Sequence, residues 1–191
     1  MAEENPPEGL GRLLDDMFRE GWMSGLGIET DMVYERMDFE TGLYNRTHFE
    51  RLLDGAIEDQ RLGKKRRERD GPAEGKVSVL AVRIANWGDI AKTQSHELHR
   101  ETVGQLSDSI KSTLRVDDVI GRTASDTFSL LLRGCPTDML DKIAARCVVD
   151  LKELRIETRE GWVSLEATAG AAEWEGGSSS ELVEAAHQKI G

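Results

Sequence analysis

Residues 115–132, RVDDVIGRTASDTFSLLL, bring arginines, aspartates and hydroxyls together just ahead of an apolar run. The segment reads as two strands around a short turn, Ala124-Ser125-Asp126-Thr127. Tight hairpin turns usually set one or two residues at positive φ, which Gly, Asn or Asp supply with least strain. Here Ala-Ser stands at the centre, with an acid and a hydroxyl behind it. Either the turn is ordinary, or it is what remains of a site that once did chemistry.

The other reactive side chains offer less. Cys135 and Cys147 form no C-x-x-C and have no His pair nearby, so no zinc-type site is expected. Cys147 falls on the apolar face of a helical pattern, which predicts a buried, reduced thiol. His48, His99 and His187 read as surface residues, and the basic run KKRRERD at 64–70 reads as part of a polar loop.

These residues need elements to hold them. Leu10, Leu13, Leu14, Met17, Phe18, Trp22 and Met23 recur at the period of one helix face. SGLG at 24–27 should stop that helix, and residues 29–37 read as a second short helical piece. The stretch DFETGLYNR (38–46) has turn chemistry, after which Thr47 and Glu50 resemble a capping box for a helix to about Leu62. Residues 76–85 are β-branched and read as a strand. Residues 97–114 form an amphipathic helix, followed by the hairpin and a helix opened by Pro136 with a Thr137 cap. Residues 162–174 read as one more strand, and SSSELVEAAHQKI as a capped terminal helix. The order predicts an α/β sandwich: a central, mixed and mostly antiparallel sheet flanked by helices. Residues 1–37 would be a helical extension and 38–191 the domain.

Composition narrows the function. A chain of 191 residues, 38% hydrophobic, can bury one α/β core with a small appendage. A net charge of −11 argues against binding a nucleic-acid polymer or an anionic membrane, though not against a small basic pocket for one nucleotide. There is no signal-peptide pattern and no apolar run of about 18 residues. A cytoplasmic protein is expected.

The motif at 38–46, followed by this element order, resembles the GGDEF domains, bacterial diguanylate cyclases and their relatives. Their motif D-x-L-T-G-L-x-N-R is matched by Asp38, Thr41, Gly42, Leu43, Asn45 and Arg46; Glu40 stands where the family has Leu. The resemblance extends over 38–190. The hairpin RTASDTF lies where the family has R-x-G-G-D/E-E-F: Arg122, Asp126 and Phe128 fit, whereas Ala124, Ser125 and Thr127 do not. The resemblance also puts Arg83 at a metal-binding Asp, Ala85 at the family's second Asp, Ala91 at a guanine-contacting Asn, and Arg100 at a later Asp. His96 matches a family His without its partners. With a guanidinium at a metal position and one remaining hairpin acid, the expectation is that no Mg²⁺ binds, that no catalytic residues remain and that cyclase activity is lost.

The resemblance implies a second site. The family's product-binding motif R-x-x-D lies five residues before the first signature Gly, and Arg115 and Asp118 sit at that spacing from Ala124. A further family arginine, 22 residues beyond that Gly position, falls at Arg146, on a helix face away from Ile143 and Cys147. Such sites also borrow an arginine from a neighbouring segment, for which Arg69 is best placed and Arg67 next. Guanidinium can fork onto guanine O6 and N7, and a carboxylate can accept from N1–H and N2–H. The expected ligand is therefore cyclic di-GMP, bound by Arg115, Asp118, Arg146 and Arg69 in a receptor that signals through a protein partner. The partner surface is expected at residues 10–23, and a homodimer, including a ligand-mediated one, is a further expectation. The alternative is a ligand-independent scaffold or dimerisation module.

Overall fold

The computed structural model describes residues 35–63, 76–115 and 118–190. In chain order its elements are β1 (Tyr44–Asn45), α1 (Arg46–Arg61), β2 (Val77–Ile84), α2 (Trp87–Thr93), α3 (His96–Ser112), β3 (Val119–Ala124) and β4 (Thr127–Arg133). There follow α4 (Thr137–Glu153), β5 (Arg155–Thr158), β6 (Gly161–Ser164), β7 (Ala167–Glu173) and α5 (Ser179–Gln188). Five strands form one sheet in the order β1-β3-β4-β2-β7. β1 runs parallel to β3, and every other neighbour is antiparallel. This is the mixed α/β sandwich that the apolar patterning predicts.

Strand β2 is apolar nearly throughout because it is central and covered on both faces. On one face Leu80, Val82, Phe128, Leu130 and Leu132 pack with Val103, Leu106 and Ile110 of α3 and Leu140, Cys147 and Leu151 of α4. On the other, Val77, Val79, Ala81 and Leu131 pack with Phe49, Leu53 and Ile57 of α1 and Leu182, Val183 and Ala186 of α5. Helix α5 comes so close to β7 that a Cβ on Gly170 would lie 2.5 Å from backbone atoms of Lys189 and Ile190. Among the described residues no helix is long and apolar enough to cross a membrane.

Four local expectations change. Helix α1 is capped by Asn45, whose side chain accepts from the His48 N–H at 2.9 Å, so Thr47 lies inside the helix. Pro136 holds the cap position of α4, one residue before the Thr137 expected there. Helix α2 is an unforeseen element: it buries only Trp87 and Ile90, too short a pattern for its period to stand out. The single strand read at 162–174 is two. Residues 161–164 pair with β5 in a separate hairpin, and the sheet strand begins at Ala167. Asn86 makes the break, accepting from Glu166 N–H and donating to Ser164 O, each at 2.9 Å. The expected helix over residues 10–23 lies outside the described residues, as do Arg67 and Arg69.

Candidate functional site

The motif at 38–46 is a folded clasp. Asp38 Oδ1 accepts from the Thr41 N–H at 3.0 Å and from its hydroxyl at 2.7 Å. Gly42 takes a φ of 63°, a conformation open to glycine at little cost, and donates to Asp38 O at 2.8 Å. Arg46 pairs with Glu50 at 2.9 Å and with Glu184 of α5 at 2.7 Å.

The hairpin is fastened to this clasp by Arg122. Its guanidinium reaches Asp38 at 3.2 Å, bonds Glu40, and donates to Ser125 O through Nη2 at 2.7 Å and Nε at 3.3 Å. Glu40, at the position where Leu was anticipated, thus has a partner in the hairpin. The turn itself answers the question its sequence poses. Ala124 pairs with Thr127 across a two-residue loop, and no non-glycine residue among those described has positive φ. Instead the register shifts between Arg122 and Ala124, leaving Thr123 as an extra residue on β3. A bulge adds local twist, which lets the hairpin close without Gly or Asn in the loop.

Two of the expected ligand residues form one turn. Asp118 Oδ2 accepts from the Arg115 N–H at 2.9 Å, and the Asp118 N–H donates to Arg115 O at 3.1 Å. Asp118 is buried at 8% exposure, whereas Arg115 is exposed. Arg146, also exposed, donates to Ser112 O at 3.1 Å, at the end of α3 three residues before Arg115. The same corner is tied together by Thr113 Oγ1 and Cys147 Sγ, 3.1 Å apart. Arg115, Asp118 and Arg146 therefore share one corner between α3, β3 and α4. Cys135 lies near it, and burial pushes its thiol up against the opposing pull of Arg115.

His48, His99 and His187 are not fully exposed: the first is buried and the other two are half-buried. His48 is buried with its ring 4.7 Å from that of Tyr44, and His99 lies 5.0 Å from Trp87. His187 Nε2 lies 3.2 Å from Thr123 Oγ1 and 3.4 Å from Ser129 Oγ, and burial lowers its pKa. Each falls on the inward side of its helix, a placement that polarity alone does not reveal. The thiols match expectation, since Cys135 and Cys147 are both buried and free.

At the far end of β2, Arg83 sits in register between Thr127 of β4 and Thr168 of β7. No group of three or more His, Cys, Asp or Glu side chains able to hold a metal occurs among the described residues. The residues in register with Arg83, Thr127 and Thr168, do not fit a divalent-cation cage.

Over residues 35–190 the sequence matches the family model described as "Diguanylate cyclase, GGDEF domain", and the chain belongs to that family. It is 29% identical over 140 residues to the probable diguanylate cyclase DgcC of Escherichia coli K12, a match covering 73% of this chain but only 35% of that protein. In fold it is similar to the coiled coil and GGDEF domain of DgcB from Caulobacter crescentus in complex with c-di-GMP, with a TM-score of 0.70 at 17% identity, covering 95% of this chain and 92% of that one. It is also similar to the diguanylate cyclase SiaD of Pseudomonas aeruginosa in complex with its activator SiaC, with a TM-score of 0.66 at 19% identity, covering 95% and 68%.

The family corrects the expectation that this chain is not an enzyme. Its model is that of the diguanylate cyclases, and the curated relative is named as one. That expectation rested on residue identities at single positions. They leave out the intact frame, in which Arg122 fastens the hairpin to the clasp and Asp126 remains at the turn. Glu40 and His187 were missed as well. Their partners lie 82 residues away for Glu40 and 64 and 58 for His187, and no local pattern reports such a pairing.

Proposed function

We propose that this GGDEF domain binds cyclic di-GMP at the corner of Arg115, Asp118 and Arg146 and signals the bound state to a protein partner. The retained R-x-x-D motif and the shared corner support the reading. The observation that carries it is the Arg115–Asp118 turn. A buried carboxylate clasps the backbone of Arg115, whose side chain is exposed, and the exposed Arg146 is bonded to the end of α3 three residues away. Two cations at one corner suit a dianionic ring, and each can fork onto a guanine edge or pair with a phosphate oxygen. Arg69 is proposed to complete the site. The solved DgcB structure holds c-di-GMP and SiaD was solved with a protein activator, so ligand and partner are both precedented within the fold.

In this reading residues 1–37 are an extension to a domain spanning 38–191, and the apolar face at 10–23 is the partner or dimer surface. Isothermal titration of the full chain with cyclic di-GMP is the test. Binding that Arg115→Ala abolishes is expected, and no heat at high micromolar protein would overturn the proposal. Deleting residues 1–28 should remove partner binding and leave ligand binding intact.

A further inference from the structure

Thr123 Oγ1, Ser129 Oγ and His187 Nε2 form a closed triangle. The two hydroxyl oxygens lie 2.7 Å apart, and the imidazole nitrogen is 3.2 and 3.4 Å from them. Its corners come from three elements: the bulge residue of β3, the neighbouring strand β4 and the last turn of α5. Thr123 and Ser129 are buried, and the ring is half-buried. Among the described residues neither hydroxyl has a hydrogen-bond partner outside the triangle.

The proton count selects one state of the ring. Two hydroxyls bring two O–H donors. One is spent between Thr123 and Ser129, and the other needs an acceptor. A neutral imidazole with its proton on Nδ1 offers that acceptor at Nε2. In a protonated ring Nε2–H is itself a donor, and one buried O–H is left with nothing to accept it. An orphaned donor away from water is disfavoured, and so is the charge of a half-buried ring. The triangle therefore closes around the neutral ring and opens around the charged one.

The charges facing the ring come from α5 itself, from α1 and from the hairpin. Burial is the largest influence and favours the neutral ring, and Arg46 of α1 acts in the same direction. Glu184, three residues back on α5, and Asp126 of the hairpin loop pull toward the charged form. Glu184 is exposed, and side chains three apart on a helix are neighbours, so a charged ring has a carboxylate and water to turn to.

We propose that His187 is a proton-controlled latch between the β3–β4 hairpin and the end of α5. With the ring neutral, the bulge of β3 is held to the last turn of the helix. With the ring protonated, it leaves the two hydroxyls for Glu184 and solvent. Hairpin and helix end then loosen together while the rest of the sandwich stays closed. Thr123 adjoins Arg122, whose guanidinium fastens the hairpin to the clasp, so the latch acts on the strand that sets the hairpin's position. It lies on the face of α1 and α5, apart from the corner of Arg115 and Arg146, and does not rest on cyclic di-GMP binding.

The test is amide exchange on the full chain from pH 8 to pH 5, corrected for intrinsic exchange, with the His187 ring followed by NMR in the same samples. Exchange at 121–129 and 184–189 is expected to rise roughly tenfold toward the acid end, with the amides of α3 and α4 still protected. Its midpoint should coincide with the titration of the ring. His187→Gln, a neutral side chain that can still accept, should hold both segments closed throughout. Glu184→Gln should move the midpoint to lower pH, because a group favouring the charged ring is gone. Should His187→Gln fail to fold, the coincidence of the midpoints and the Glu184→Gln shift are read in its place. Exchange that rises in every element at once, or in only one of the two segments, would overturn the proposal, as would an acid rise that persists in His187→Gln.

Discussion

Arg122 holds Asp38 at 3.2 Å across 84 residues of sequence, joining the tip of a hairpin to the loop that opens the domain. The guanidinium is only 8% exposed and has a second carboxylate, Glu40, on the same nitrogen. Removing it would leave two acids facing each other with no cation between them. Arg122→Met is expected to cost about 3 kcal/mol, the low end for an uncompensated buried pair because both carboxylates are partly wet. Glu40→Gln keeps the Asp38 bond and should cost about 1 kcal/mol. Urea unfolding of the two variants separates these values, and equal losses would mean that the pairing does not set the hairpin.

Gly170 has no room for a side chain. Its added Cβ would meet backbone of Lys189 and Ile190, which cannot rotate away as a side-chain tip can. Gly170→Ala should cost about 1–3 kcal/mol. Amide exchange should show the loss concentrated in the last turn of α5, with α3 and α4 unchanged.

Burial lowers the pKa of His187, despite the opposing influence of Glu184. The unfolded chain then binds the proton more readily than the folded one. The stability contributed by neutral His187 is complete above the ordinary histidine value of about 6.5 and is lost as pH falls through the lower folded value. Urea midpoints measured from pH 8 to pH 5 should decline at the acid end, and His187→Gln should flatten that part of the curve. An unchanged slope in the variant would assign the decline to the carboxylates.

Asp118 and Arg146 should behave differently. Arg146 is exposed, with a hydrogen bond to a backbone carbonyl and a long, solvent-exposed ion pair to Asp150, so Arg146→Ala should change stability by less than about 0.5 kcal/mol while weakening cyclic di-GMP at least tenfold. Asp118→Ala removes the clasp on Arg115 and should cost about 1–2 kcal/mol of stability together with the ligand affinity. Paired melts and titrations distinguish a contact residue from a positioning one.

The longer sheet strands and the long helices were legible in the sequence because their apolar periods run for several turns or residue pairs, whereas the two-residue β1 lay inside a stretch read as a turn. Helix α2 and the β5–β6 hairpin were not, since seven and four residues carry too little period to read. Arg115, Asp118 and Arg146 were singled out through motif spacing, and the fold places them about one corner between α3, β3 and α4. The cluster of buried Thr123 and Ser129 with half-buried His187 left no trace in the sequence, because hydroxyls and imidazoles occur both outside and inside. Nor did composition show that Glu40 and Arg122 meet. The odd hairpin was visible as odd, but its remedy, a bulge at Thr123, is a matter of register between strands.

The strand order carries a consequence for how the molecule is made. β2 pairs with β4 on one side, but its other edge waits for β7, where Ser78 lies opposite Glu173. On the ribosome, an apolar strand that is interior to the final sheet therefore spends most of synthesis as an unprotected edge, open to pairing with another chain. The last third of the protein completes the sheet and also removes an aggregation hazard. Truncations that end before Ala167 should accumulate as insoluble material, whereas those that remove only the first 34 residues should not.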